Sequence, residues 1–136
     1  IIATGGYGRK ELFPYSDIDL LFLHEEDIPA VAGLTKDILY VLWDLGFSIG
    51  HAYRSTEEAL KLSTENIGLR TNLLDARLVV GSEAIFKEFS QRFNEEIVFK
   101  TPLDFVEAKL AERDSRHKRY GDSRYMLEPN IKEGKG

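Results

Sequence analysis

The chain has 136 residues, of which 43% are hydrophobic and 30% charged, and its 18 Lys and Arg against 23 Asp and Glu give a formal net charge of −5. This composition is typical of a globular protein with one domain, or with one small domain and the start of a second. The lack of Cys excludes thiolate zinc sites and a cysteine nucleophile. The longest nearly uncharged apolar stretch, residues 18–23, is interrupted by Asp19 and is far shorter than the roughly 20 residues of a membrane span.

The beginning of the chain predicts two strands separated by a glycine-rich loop. Residues 1–4 form a β-branched apolar run that predicts a buried strand, and turn residues are frequent over 5–16. In residues 18–23, apolar side chains occur on both faces: Ile18, Leu20 and Phe22 on one, Leu21 and Leu23 on the other. This pattern predicts a strand that is covered on both faces. Asp17 and Asp19 share a parity, so their side chains are expected on one face, where this strand leaves the loop.

A helix, a third strand and then helices are predicted further along the chain. Apolar residues follow the helical period from Pro29 to Leu45, including Val31, Leu34 and Val41, and Gly46 suits a left-handed cap. Residues 47–54 alternate like a half-buried strand. Later helix starts are predicted at Ser55, at Ser63 or Asn66, at Ser82 and at Thr101-Pro102. Residues 78–80 fit either a strand or a helix end.

The order of these elements indicates the fold class. Strands followed by helices predict an α+β domain over residues 1–100 and the start of a helical domain over 101–136. The last helix is expected to end at Gly121, with an extended arm over 122–136. The chain begins without Met, which suggests a segment of a longer protein.

The glycine-rich loop and the two aspartates together suggest a nucleotide site. Gly5 and Gly6 allow backbone N–H groups to approach a phosphate closely, and Arg9 adds a guanidinium that fits phosphate geometry. Asp17 and Asp19 can converge on divalent ions, and Mg²⁺ suits a pair of carboxylates next to phosphate oxygens. Each element alone is common in proteins, so the prediction depends on their conjunction.

These residues resemble a known family. A glycine pair after a strand, followed by Ser-Asp-x-Asp-Leu on the next strand, resembles the DNA polymerase beta-like nucleotidyltransferase superfamily. More closely, the segments 5–21, 42–51 and 72–78 are similar to the amino-terminal domain of bacterial PII uridylyltransferases, and 116–134 is similar to the region where the helical domain of those enzymes begins.

The resemblance implies a polymerase beta-like fold with a small mixed sheet. It also implies Mg²⁺-dependent transfer of uridylyl from UTP to a tyrosine of the PII signalling protein, with release of pyrophosphate. A cytoplasmic enzyme is expected, in line with the lack of Cys, and the acidic charge and the short apolar stretches predict no nucleic-acid or membrane partner. Gly5 and Gly6 match the phosphate-binding glycines, and Asp17 and Asp19 match the metal-binding and catalytic carboxylates. Arg9 contacts phosphate or lies at the surface, and Ser16 orients the first carboxylate or caps the turn.

One departure from the superfamily pattern concerns the third carboxylate, which is usually on a later strand. The candidate strand has no acid, and Asp75 is a weak substitute because its position in a predicted helix favours packing or an ion pair. The general base is therefore unassigned. Two alternatives stay open: a related enzyme, such as the adenylylating enzyme of glutamine synthetase or a CBS-linked nucleotidyltransferase, and a regulatory nucleotide-binding domain without catalysis.

The remaining polar residues with possible functional roles are expected to be structural. Arg54 is expected to form a solvent-exposed ion pair, with contact to the triphosphate as the alternative. The three histidines have no spacing suited to a zinc site. The basic cluster 116–119 shares its helix with Glu107, Glu112 and Asp114, and the chain as a whole is acidic, which predicts a solvated or interdomain face and no nucleic-acid interface.

Overall fold

A computed structural model describes residues 1–119 of the chain. The chain divides into two compact units, Ile1–Lys100 and Thr101–Gly136. The predicted helix end at Gly121 and the extended arm over 122–136 lie outside the described residues.

The first unit contains a four-stranded mixed sheet with the strand order β3-β2-β1-β4. Strand β1 is antiparallel to both β2 and β4, whereas β2 and β3 are parallel. The strands are β1 (Ile2–Ala3), β2 (Ile18–His24), β3 (Ile49–Ser55) and β4 (Arg77–Leu78). The predicted α+β class with a small mixed sheet is thus confirmed, and the ambiguous segment after residue 76 begins with a strand that pairs with β1.

Hydrophobic side chains cover both faces of the sheet, as predicted for β2. Leu21 belongs to the larger core cluster, which also contains Phe89 and Phe93. Leu20 and Phe22 point to the other face and pack with Leu39. Because successive residues of a strand point to opposite faces, β2 joins two separate cores.

Helices and turns connect the strands of this unit. The helices are α1 (Gly5–Gly8), α2 (Pro29–Asp44), α3 (Thr56–Glu65), α4 (Ile67–Leu74) and α5 (Glu83–Arg92), and α5 continues into a π-helical segment (Phe93–Val98). The predicted caps are present: Gly46 has a φ of 82° after α2, and Ser55 forms a capping box with Glu58. Asn66 caps α4, so Ser63 is not a helix start and lies buried within α3.

One local prediction was wrong. The glycine-rich loop begins with a helical turn, α1, which the turn-residue composition did not indicate. In α2, which is confirmed as a helix, the apolar residues Leu34 and Val41 are 60% and 59% exposed, and Leu45 at its C-cap is 67% exposed.

The second unit begins, within the described residues, with α6 (Pro102–Arg119). Pro102 is its first helical residue, as predicted, because a helix start needs no N–H at that position. Leu103, Val106 and Leu110 of this helix are 75%, 52% and 45% exposed. Nowhere in residues 1–119 is there a helix both long and apolar enough to cross a bilayer.

Candidate functional site

The glycine turn α1 lies directly beside the start of β2. Thr4 is extended, and its N–H donates to the backbone oxygen of Asp19 over 3.0 Å. Gly5 then has a φ of 55°, a left-handed conformation that strains residues with a side chain. The first N–H groups of a helical turn have no acceptor within the turn, so those of α1 are left to partners outside it.

Two glycines leave the room that the Asp19 carboxylate occupies. A Cβ placed on Gly5 would lie 3.3 Å from Asp19 Oδ2, and a Cβ placed on Gly50 would lie 2.3 Å from Asp19 Oδ1. Gly50 stands opposite Asp19 in the parallel register of β2 and β3. The carboxylate is therefore enclosed between the glycine turn and the neighbouring strand, which agrees with the expectation that Asp19 faces the glycines.

The two aspartates of the site influence each other electrostatically. Burial, and in second place the negative charge of Asp17, raise the pKa of the Asp19 carboxyl above its usual range. Asp17 Oδ1 accepts a hydrogen bond from Ser48 Oγ over 2.6 Å. Among the side chains described in residues 1–119, no Lys, Arg or His forms an ion pair with Asp17 or Asp19. A pair of like charges without a counter-charge suits a divalent cation.

The donor set fits a two-carboxylate site. No group of three or more acidic or histidine side chains with metal-binding geometry occurs within the described part of the chain. Asp75 lies after α4, and its Oδ2 accepts from Arg9 Nη1 over 2.5 Å, so it forms the ion pair that was preferred for it. Asp17 and Asp19 would thus provide the protein ligands of Mg²⁺, with phosphate and water oxygens completing the shell.

The predicted phosphate contact of Arg9 and the role of Ser16 stay predictions. Hydrogen bonding and charge from Asp75 raise the pKa of Arg9, and Glu11 is a second partner at 3.6 Å. An arginine has five donors, so this pairing leaves some of them for another anion. The backbone N–H of Ser16 donates a hydrogen bond to the backbone oxygen of Phe13 and so closes a turn. The hydroxyl that donates to Asp17 is that of Ser48.

Arg77 on β4 holds the far end of the glycine turn. Its Nε donates to Gly8 O over 3.1 Å and its Nη2 to Tyr7 O over 2.9 Å, while the guanidinium carbon lies 5.3 Å from the centre of the Tyr7 ring. Sequence reasoning missed this contact because 69 residues separate Arg77 from Gly8. Sequence reasoning also missed the contacts of Ser48 with Asp17 and of Gly50 with Asp19, although it placed both residues on the third strand.

A cavity of about 270 Å³ opens between the Asp19 face of the sheet and α4. Its polar and backbone lining includes the glycine-turn junction, the two central strands and one amide of α4. The residues concerned are Thr4, Asp19, Gly50, Arg54 and Asn72. Asn72 Oδ1 would lie 3.6 Å from a Cβ on Gly5, so this amide borders the same space as the Asp19 carboxylate.

Known proteins similar to this chain carry consistent descriptions. The family model described as GlnD PII-uridylyltransferase matches residues 104–136. Bifunctional uridylyltransferase/uridylyl-removing enzymes of Azospirillum brasilense and Phenylobacterium zucineum are 50% and 53% identical over 100% of this chain. The enzyme of that name from Caulobacter vibrioides is 50% identical over the same span. The chain spans about 15% of the length of these relatives. No solved structure matches the chain.

Proposed function

Because the chain belongs to the family of the bifunctional uridylyltransferase/uridylyl-removing enzymes, we propose that it contains the nucleotidyl-transfer site of a PII uridylyltransferase. The proposed fold is that of the polymerase beta-like nucleotidyltransferases. The observation that supports this proposal most strongly is the Asp19 carboxylate, which lies between Gly5 and Gly50 and is close enough to Asp17 for mutual repulsion.

The proposed reaction transfers uridylyl from UTP to a tyrosine of PII. The phenolic oxygen attacks the α-phosphorus, and the bond from this phosphorus to the β-phosphate oxygen breaks. Pyrophosphate leaves with the electron pair of that bond, and the phenolic proton is lost to a base that the described residues do not identify. Bound Mg²⁺ would neutralise charge on the phosphates and on the leaving group.

The residues of the chain contribute position and charge to this reaction. Asp17 and Asp19 would hold the cation, and the hydroxyl of Ser48 donates a hydrogen bond that orients Asp17. The bend at Gly5 and Gly6 brings backbone N–H groups to the phosphates without steric obstruction by a Cβ. Positioning of this kind accounts for much of the catalysis of phosphoryl and nucleotidyl transfer.

The proposal is tested by incubating the full-length protein with PII, Mg²⁺ and each of the four ribonucleoside triphosphates, labelled at the α-phosphate. Label from UTP is expected on PII, with equimolar pyrophosphate, and none on PII whose acceptor tyrosine is replaced by Phe. Labelling from ATP alone would identify an adenylylating relative. Nucleotide binding without any transfer would favour the regulatory alternative, which the missing third carboxylate supports.

Gly50→Ala is expected to reduce uridylyl transfer strongly while leaving the protein folded. The new Cβ would stand 2.3 Å from Asp19 Oδ1, so the carboxylate has to turn away. Displacing a reacting group by about 1 Å costs on the order of 10²-fold in rate. The measurement is kcat for transfer together with the thermal midpoint. Gly33→Ala is the matched control, since a Cβ there meets nothing within 4 Å; equal kcat in both variants would contradict the placement of Asp19.

A further inference from the structure

Arg54 has an unusual environment for an arginine near the protein surface. It lies on β3 and lines the same cavity as Asp19 and Asn72. Its Nη1 is buried and has no hydrogen-bond partner among the described residues. The expected solvent-exposed ion pair of Arg54 is not formed within residues 1–119, so that prediction was wrong there.

Glu58 interacts electrostatically with Arg54 but is not hydrogen-bonded to it. The positive charges of His24 and Arg54 contribute to lowering the pKa of Glu58, so these groups are neighbours. However, the larger causes are the hydrogen bonds of Glu58 to Ser55, whose N–H and Oγ lie 2.9 Å and 3.2 Å from Glu58 Oε2. Glu58 is thus engaged in the helix cap. A buried guanidinium N–H without a partner is costly, which indicates that an anion completes this site.

The position of Arg54 suggests which anion this is. Asp19 and Gly50 lie at one end of the cavity, and Arg54 lies four residues beyond Gly50, about 13 Å along the strand. A volume of about 270 Å³ is below the roughly 300–1,000 Å³ that encloses a whole drug-sized ligand. The cavity therefore suits an elongated, highly charged part of a ligand better than an entire nucleotide.

We infer that Arg54 binds the phosphate chain of the nucleotide, at the end of the chain that leaves as pyrophosphate. This assignment rests on the proposed function, because it takes the cation site at Asp17 and Asp19 as the other end. The planar guanidinium donates two parallel hydrogen bonds to phosphate oxygens, a geometry that lysine does not reproduce. Asn72, on the facing helix, borders the phosphate path between the two ends.

The test compares full-length wild type, Arg54→Gln and Arg54→Lys. Arg54→Gln is expected to raise KM for UTP and the inhibition constant of inorganic tripolyphosphate by about tenfold or more, as for the loss of a charged hydrogen bond. The affinity for UMP, which lacks the leaving phosphates, is expected to change less than twofold. Lys61→Gln, which removes one exposed positive charge from α3, is the control and should leave all three values unchanged.

The outcomes separate this inference from the proposed function. If wild type transfers uridylyl but Arg54→Gln has a KM and a tripolyphosphate constant within twofold of wild type, the inference is overturned and the proposed function stands. If wild type transfers nothing, calorimetry with tripolyphosphate decides: weaker binding by Arg54→Gln supports the anion site, and equal binding rejects it. Should Arg54→Gln not fold, Arg54→Lys is used, and an unchanged KM for UTP in that variant overturns the inference.

Discussion

Asp19→Asn is expected to reduce uridylyl transfer by at least about 100-fold, because an amide cannot replace a charged ligand of the cation and even indirect metal contacts are worth 10–100-fold. The fold is expected to persist, since Asp19 Oδ1 and Oδ2 occupy space that an amide of equal size also fills. The measurement is the initial rate of transfer at saturating UTP and Mg²⁺, with Asp37→Asn, an exposed position on α2, as the control. Retained transfer in Asp19→Asn would remove the proposed role of this residue.

The same substitution has a pH-dependent effect on stability. Burial and the charge of Asp17 raise the pKa of Asp19 in the folded state. The folded protein therefore binds the proton more tightly than the unfolded chain does, and stability falls as pH rises from the usual aspartate pKa of about 4 through the raised value. Without Mg²⁺, Asp19→Asn should match wild type at low pH and melt at a higher temperature at neutral pH. If Asp19→Asn were less stable than wild type at neutral pH, burial and the charge of Asp17 would not be destabilising the Asp19 carboxylate.

Gly8→Ala is expected to destabilise the protein by about 3 kcal/mol, at the upper end of the usual cost of overpacking. A Cβ on Gly8 would lie 2.0 Å from the backbone oxygen of Asp75, and neither backbone segment can rotate away as a side chain does. Separating them would also break the hydrogen bonds of Arg77 to Tyr7 and Gly8. The measurement is the free energy of unfolding from urea titrations.

Gly33→Ala provides the matched control for this prediction. Gly33 lies within α2, and an added Cβ meets no atom within 4 Å. Replacing a helix-interior glycine by alanine should stabilise the protein by roughly 0.5–1 kcal/mol. The two Gly→Ala variants should thus shift the urea midpoint in opposite directions, and equal shifts would contradict the close contact between Gly8 and Asp75.

The parts of the fold that follow from local sequence were predicted well. The left-handed cap at Gly46 and the capping box at Ser55 depend on neighbouring residues, so their signals are contained in short windows. The π-helical segment after α5 was not predicted. Phe93 and Ile97 are buried in it, but their i,i+4 spacing is that of a regular α-helix and so gives no signal for a π-helix.

The site was predicted only in part, for a physical reason. Asp17 and Asp19 are two residues apart, so their shared face follows from strand parity, and the glycine pair is joined to them by the short loop between β1 and β2. Ser48 and Gly50 join them only through the parallel register of β2 and β3, which no local pattern specifies. Similarly, Arg77 reaches the turn because β4 pairs with β1. Contacts of this kind require the sheet topology, which the strand signals alone left open.

The most direct test of the central claim measures cation binding by electron paramagnetic resonance, with Mn²⁺ as the probe for the Mg²⁺ site and UTP present. Full-length wild type is predicted to bind Mn²⁺ stoichiometrically in the presence of UTP. The double variant Asp17→Asn, Asp19→Asn is predicted to lose this bound signal while remaining folded. Equal Mn²⁺ binding by the folded double variant would show that these carboxylates do not hold the cation.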